Sequence, residues 1–247
     1  MRVCRLSVCA TVLGLALCAV GTVLAQSASP TVVTREAISG DRGLELAGAW
    51  LYRPGDDPAW SDPAIDEAEW QAVESVRMAP ASELRNGWKG IGWFRSRLTV
   101  DESAANIPVA LVLDHLGASD VFLDGVRIGG FGSVGATPAT ETTYNPNDIP
   151  IAFEFDRAGE HVLAVRYSCT AGVDGWVPRI LPAGFFASLR GTDAAVGDYA
   201  WNLVLNAAIN AVLATLLLAF GLLHLLLFTF NRRQPAQSQP FTRLAAS

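Results

Sequence analysis

The chain has 247 residues, a formal charge of −6, 51% hydrophobic residues and 9% aromatics. That composition excludes a disordered or fibrous polymer, and the length allows one or at most two folded units. A pI near 5 and a single lysine, Lys89, exclude a nucleic-acid binder. Only 17% of residues are charged and mean hydropathy is positive, which places part of the chain in lipid.

In chain order, residues 1–25 are predicted to be a secretory signal peptide. Arg2 and Arg5 form a basic start, Val8 to Val20 an apolar run too short for a span, and Val23-Leu24-Ala25 a small-residue cleavage site. Its removal takes away Cys4, Cys9 and Cys18. Cys169 then stays alone, with no internal disulfide or cysteine-rich zinc site to join, and is expected to be a small apolar strand residue. Residues 26–39 are read as a linker and 40–195 as an all-β exterior domain. Arg95 to Val100 alternates, Val109 to Leu113 is a buried-type run, and Asp120 to Ile128 is a hairpin turning at Asp124-Gly125. Ile151 to Phe155, His161 to Tyr167 and Phe185 to Leu189 are further strands, and Gly-, Pro- and Thr-rich loops separate them. Many short strands without βαβ alternation predict a sandwich, and about 170 residues suit a jelly roll.

Residues 200–231 are predicted to cross a membrane. Leu203 to Phe230 is 28 residues without Asp, Glu, Lys or Arg. At ~1.5 Å per residue it exceeds the ~30 Å hydrocarbon core. Tyr199 and Trp201 mark one interface, and Arg232 and Arg233 mark the cytoplasmic one by the positive-inside rule. The signal peptide independently puts the domain outside. All 24 acidic residues lie between Glu36 and Asp198, against 13 basic residues over 26–198, a balance of −11. Such an exterior disfavours anionic polymers and admits neutral sugars or cations. The tail, 232–247, carries arginines and no acid.

Five stretches then carry a resemblance: Gly48-Ala49-Trp50-Leu51-Tyr52, Gly92 to Val100 with Trp93-Phe94-Arg95, Leu111 to Leu116, the hairpin Asp120-Val121-Phe122-Leu123-Asp124-Gly125-Val126-Arg127-Ile128-Gly129, and Ala158-Gly159-Glu160-His161-Val162-Leu163-Ala164-Val165-Arg166. Their order resembles the galactose-binding-like jelly roll that serves as the sugar-binding domain of family 2 glycoside hydrolases. Asp124 replaces the usual Asn of that pattern, and His161 stands where Asn is common. Together with a signal peptide and a following helix, the chain resembles the ectodomain of bacterial seven-helix receptors with diverse intracellular signalling modules. It also resembles the front end of membrane sensor kinases and phosphatases. The resemblance implies an inner-membrane location with most of the chain extracytoplasmic.

Most conspicuous residues have structural roles to fill. Trp50, Trp93 and Phe94 are expected in the sandwich core, Arg95 and Arg97 in pairs with acids, and Gly125 and Gly129 in turn geometry. Trp60, Trp88, Tyr144 and Trp176 lie in Pro-, Gly- or Asn-rich loops, where binding residues concentrate. Asn86-Gly87-Trp88-Lys89-Gly90 offers an aromatic face beside amide and ammonium donors, a combination that suits a sugar ring. Asp114-His115 at a strand end is a further candidate. No histidine pair, Walker loop or dinucleotide fingerprint is present. Paired carboxylates for glycoside hydrolysis need ~5–10 Å across a cleft, which sequence neighbours do not establish. Catalysis, a metal and a cofactor are not expected.

Within the span, Asn202, Asn206 and Asn210 recur every four residues, and His224 continues their side of the helix. Amides in lipid seek a partner helix, so Asn206, Asn210 and His224 are read as facing other transmembrane helices, downstream or on a partner chain. The expectation is an all-β jelly-roll sandwich of galactose-binding-like type, followed by a single transmembrane α-helix. It would sense a small saccharide or similar polar ligand for a bacterial membrane receptor. The alternative is a membrane-tethered carbohydrate-binding or adhesion module with no signalling role.

Overall fold

The structure, a computed structural model, describes residues 30–47, 50–73, 88–170 and 183–232. Residues 1–29, which hold the expected signal peptide, the residues beyond Arg232, Asn86 and Trp176 lie outside the described residues. Two sheets face each other. The larger runs β4 (Gln71–Val73), β3 (Trp50–Pro54), β5 (Ile91–Val100), β10 (Gly159–Ser168), β7 (Ala118–Leu123) and β8 (Val126–Phe131), with β1 (Thr31–Val33) laid parallel against β5. The smaller runs β2 (Leu44–Glu45), β11 (Phe185–Gly191), β6 (Pro108–His115) and β9 (Pro150–Glu154). Apart from β1, the pairings are antiparallel, and the chain changes sheet after β1, β2, β5, β6, β8, β9 and β10. That winding is a jelly roll.

Alternation decides which side chains fill the space between the sheets. Leu163, Val165 and Tyr167 of β10 point inward with Phe94 and Leu98 of β5, meeting Leu111, Leu113, Phe185 and Leu189 of the small sheet. Phe185 stands edge-on to both Trp50 and Phe94, at 5.3 and 5.1 Å between centroids. Trp93 precedes Phe94 on the strand and so faces outward. It is nevertheless fully buried, because the segment carrying Trp60 and Trp70 covers that face. Arg95, on the same outer face, is 0% exposed: it bonds Glu67 and the carbonyls of Trp60 and Asp62, while Arg97 takes the other Glu67 oxygen. Both arginines thus pair with acid as expected.

Three details differ from the sequence reading. Residues 31–39 are not a linker: they form β1 and the single-turn α1 (Arg35–Ser39), which bury Val33 and Ile38 in the core. The apolar residues there are too few to show a period. Gly125, with Asp124 before it, has positive φ (83° and 49°), as a tight hairpin requires. Gly129, however, sits within β8, where an added Cβ would approach Ile151 to 2.8 Å, so its reason is sheet-to-sheet closeness. Thirdly, the two departures from the family pattern touch. Asp124 Oδ2 lies 2.6 Å from His161 Nδ1, and Asp124 Oδ1 accepts the Val162 amide at 2.8 Å.

The last strand runs into α2 (Thr192–Arg232) without an intervening residue. At ~1.5 Å per residue its 41 residues extend about 60 Å. The helix is long and apolar enough to cross a membrane, and the window that qualifies has none of its surface buried against the domain.

Candidate functional site

Three of the residues singled out, Trp88 and Tyr144 from loops and His115 from a strand end, meet at one end of the sandwich. Trp88 lies just before β5, and its ring stacks on Tyr167 at 5.6 Å and tilts against Tyr52. His115 packs on Tyr167 and Phe131, and Phe131 stacks parallel on Tyr144 at 5.9 Å. A relay of rings therefore leads from the core to the surface. Only Tyr144 ends it in solvent, at 46% exposure. Trp88 is 9% exposed, so the face expected to meet a sugar is already occupied by Tyr167. Its loop-like composition concealed this, because a tyrosine far along the chain supplies the partner. Lys89, the next residue, is exposed.

His115 is likewise an interior residue. Its Nε2 shares a hydrogen bond with Ser119 Oγ at 2.9 Å, its Nδ1 has no partner, and burial pushes its pKa down to about 4. Beside this cluster Glu141 accepts the Thr170 amide through Oε2, while its buried Oε1 has no partner among the described residues. Trp60 is not at this end. It packs edge-on to Trp70 at 5.7 Å beneath the Arg53 guanidinium, on the outer face of the large sheet. Asp114 is separated from His115 by the strand pleat and faces out from the small sheet.

That outward face carries a groove which sequence reasoning missed. The first turns of α2 lie against the small sheet, with Ala195 buried and Arg190 Nη2 donating to Asp198 Oδ2 at 2.6 Å. Two adjoining cavities of about 280 and 300 Å³ share Arg42, Val112, Asp148 and Ser188; the first lies between sheet and helix, the second against the sheet alone. Asp114 lines one; Trp201 and Asn202 line the other. No local signal announces such a site, because the 42, 114, 148, 188 and 201 positions meet only in the folded chain. Asp114 is the one expected binding residue that it contains.

The sheet-facing side of α2 continues down the helix. At ~100° per residue, Ala195, Asp198, Asn202, Asn206, Asn210 and His224 fall within a sector of about 120°. Thr215 and Thr229 donate to carbonyls of their own helix, and His224 Nδ1 contacts that of Phe220. Among the described residues, neither Asn206 nor Asn210 has a hydrogen-bond partner.

The fold and site define a class, an all-β sandwich module carrying one apolar helix. No family model and no curated protein matches the sequence. Among solved structures, the chain is similar to a β-glucuronidase from Bacteroides uniformis (20% identity over 58% of this chain, TM-score 0.38). It is also similar to a glycosyl hydrolase family 2 member from Bacteroides cellulosilyticus (17%, 60%, 0.42), and to a β-glycosidase from Bacteroides vulgatus (14%, 59%, 0.37). The match covers only 17–20% of those chains.

Proposed function

We propose that this protein is the extracytoplasmic ligand-sensing part of a bacterial membrane signalling receptor, and that its ligand is a small saccharide or similar polar molecule. The observation that carries the reading is the join between β11 and α2. A tethered binding module needs only a flexible link to its anchor. Here the strand becomes the helix directly, and the first helical turns are docked on the sheet through Ala195 and the Arg190–Asp198 pair. A change in the sheet therefore moves the helix. The saccharide class rests on the family resemblance, on the acidic exterior and on polar side chains without protein partners. The module binds rather than hydrolyses, and catalysis is assigned to none of its residues.

Topology is the first test. A reporter active only outside the cytoplasm is expected to be active when fused after Arg190 and silent when fused after Arg243. The reverse pattern overturns both the topology and the receptor reading. The tethered-module alternative is separated by labelling single cysteines along α2 with and without bound ligand. An unchanged labelling pattern would favour a passive anchor.

A further inference from the structure

We infer that the groove between the small sheet and the start of α2 is a saccharide-binding site, and that its occupant bridges sheet and helix. The inference rests on the ligand class proposed above and adds the place where that ligand is read. Its basis is a contrast between the two outer faces of the sandwich. On the large sheet the cationic side chains are paired: Arg53 with Glu69, Arg95 and Arg97 with Glu67, Arg166 with Asp56 and Asp120, and Arg127 with Asp120. In the groove one pair remains, Arg190 with Asp198, and several polar side chains are left over. Among the described residues, the side chains of Arg42, Asp114, Asp148 and Asn202 make no hydrogen bond or ion pair, although they line adjoining cavities. Arg190, which also lines the groove, has a buried Nε with no partner.

The chemistry of the wall selects the ligand. Arg42 and Asn202 donate, Asp114 and Asp148 accept, and Trp201 presents an apolar ring that is 65% exposed. Donors, acceptors and one aromatic face are the complement of a pyranose, whose hydroxyls do both and whose C–H face stacks. A cation fits less well: no group of three or more His, Cys, Asp or Glu among the described residues could hold a metal ion. The volumes stand at the lower edge of the ~300–1,000 Å³ usual for small-molecule clefts, so one or two sugar rings fit. Asp114 and Ser188 belong to β6 and β11, Trp201 and Asn202 to α2. A ligand touching both elements stabilises the docked helix by its differential affinity for that state.

The test uses the full chain in lipid nanodiscs and saturation-transfer NMR with galactose, glucose, mannose, lactose and cellobiose. Asp114→Asn and Trp201→Ala alter exposed side chains, and unchanged melting is to be verified for each. Each is expected to weaken binding of whichever sugar the wild type takes by about tenfold or more. Tyr144→Ala, at the loop end, is expected to leave it within about twofold. The opposite pattern, loss with Tyr144→Ala and retention with Asp114→Asn and Trp201→Ala, overturns the groove assignment and leaves the saccharide reading standing. Binding of none of the five sugars by the wild type overturns both.

Discussion

His115 shows how a residue of polar type becomes part of the interior. It is buried against Tyr167 and Phe131, and Ser119 meets only one of its ring nitrogens. Burial disfavours the imidazolium, which depresses the folded pKa to about 4 from an ordinary 6.5. Because the unfolded chain binds the extra proton first, stability falls as pH drops from about 6.5 toward about 4, and is unaffected by this group above that window. The full loss amounts to about 3 kcal/mol. Melting temperatures recorded between pH 7 and pH 4.5 should therefore decline in the wild type and decline less in His115→Gln. Equal slopes would mean that the imidazole stays solvated. His161 differs in kind, since Asp124 meets its Nδ1 and the Arg157 carbonyl lies 3.0 Å from its Nε2.

Among the elements, α2 is the one whose two ends do different things. Its first turns are packed on the sandwich, and its remaining length is exposed. The polar side of the exposed part, Asn206, Asn210 and His224, lies on the side that the domain overhangs. Interhelical hydrogen bonds in membranes contribute ~0.6 kcal/mol on average and up to ~1–2 each, whereas an amide facing hydrocarbon has no compensation. Single cysteines at Asn210 and His224 should resist lipid-phase labelling in the cell membrane. Leu222 and Leu226, about 160° from His224 and about 120–160° from Asn210 around the helix, should label freely. Uniform labelling would identify a simple anchor with no helical partner.

For the whole molecule, the question is how firmly domain and helix move together. Arg190 ties three regions: its Nη2 donates to the Asp41 carbonyl and to Asp198, while its backbone belongs to β11. Asp198 is half-exposed, which screens the pair and limits it to about 1 kcal/mol. Arg190→Ala should thus leave the sandwich folded and speed amide exchange in 192–200 by about fivefold, with β5 and β10 unchanged. Unaltered exchange in 192–200 would show that apolar packing around Ala195 alone holds the helix.

The sequence by itself determined the strands from β5 onward and the long apolar helix. Period-two alternation in β5 and β10, the Asp124-Gly125 turn and 28 uncharged residues are local signals, and each is set by what a short stretch must bury or expose. The same locality explains the failures. A stretch of 31–39 with few apolar residues carries no period, yet β5 and β11 give it a place. Trp88 has a loop's composition around it, but Tyr52 and Tyr167, from other strands, close over its ring. Asp114 and His115 are neighbours in sequence and lie on opposite faces of one strand. Only the tertiary structure decided that Asp114 joins Arg42, Asp148 and Trp201, because a groove is made by separations of tens to more than a hundred residues and no window of sequence contains it.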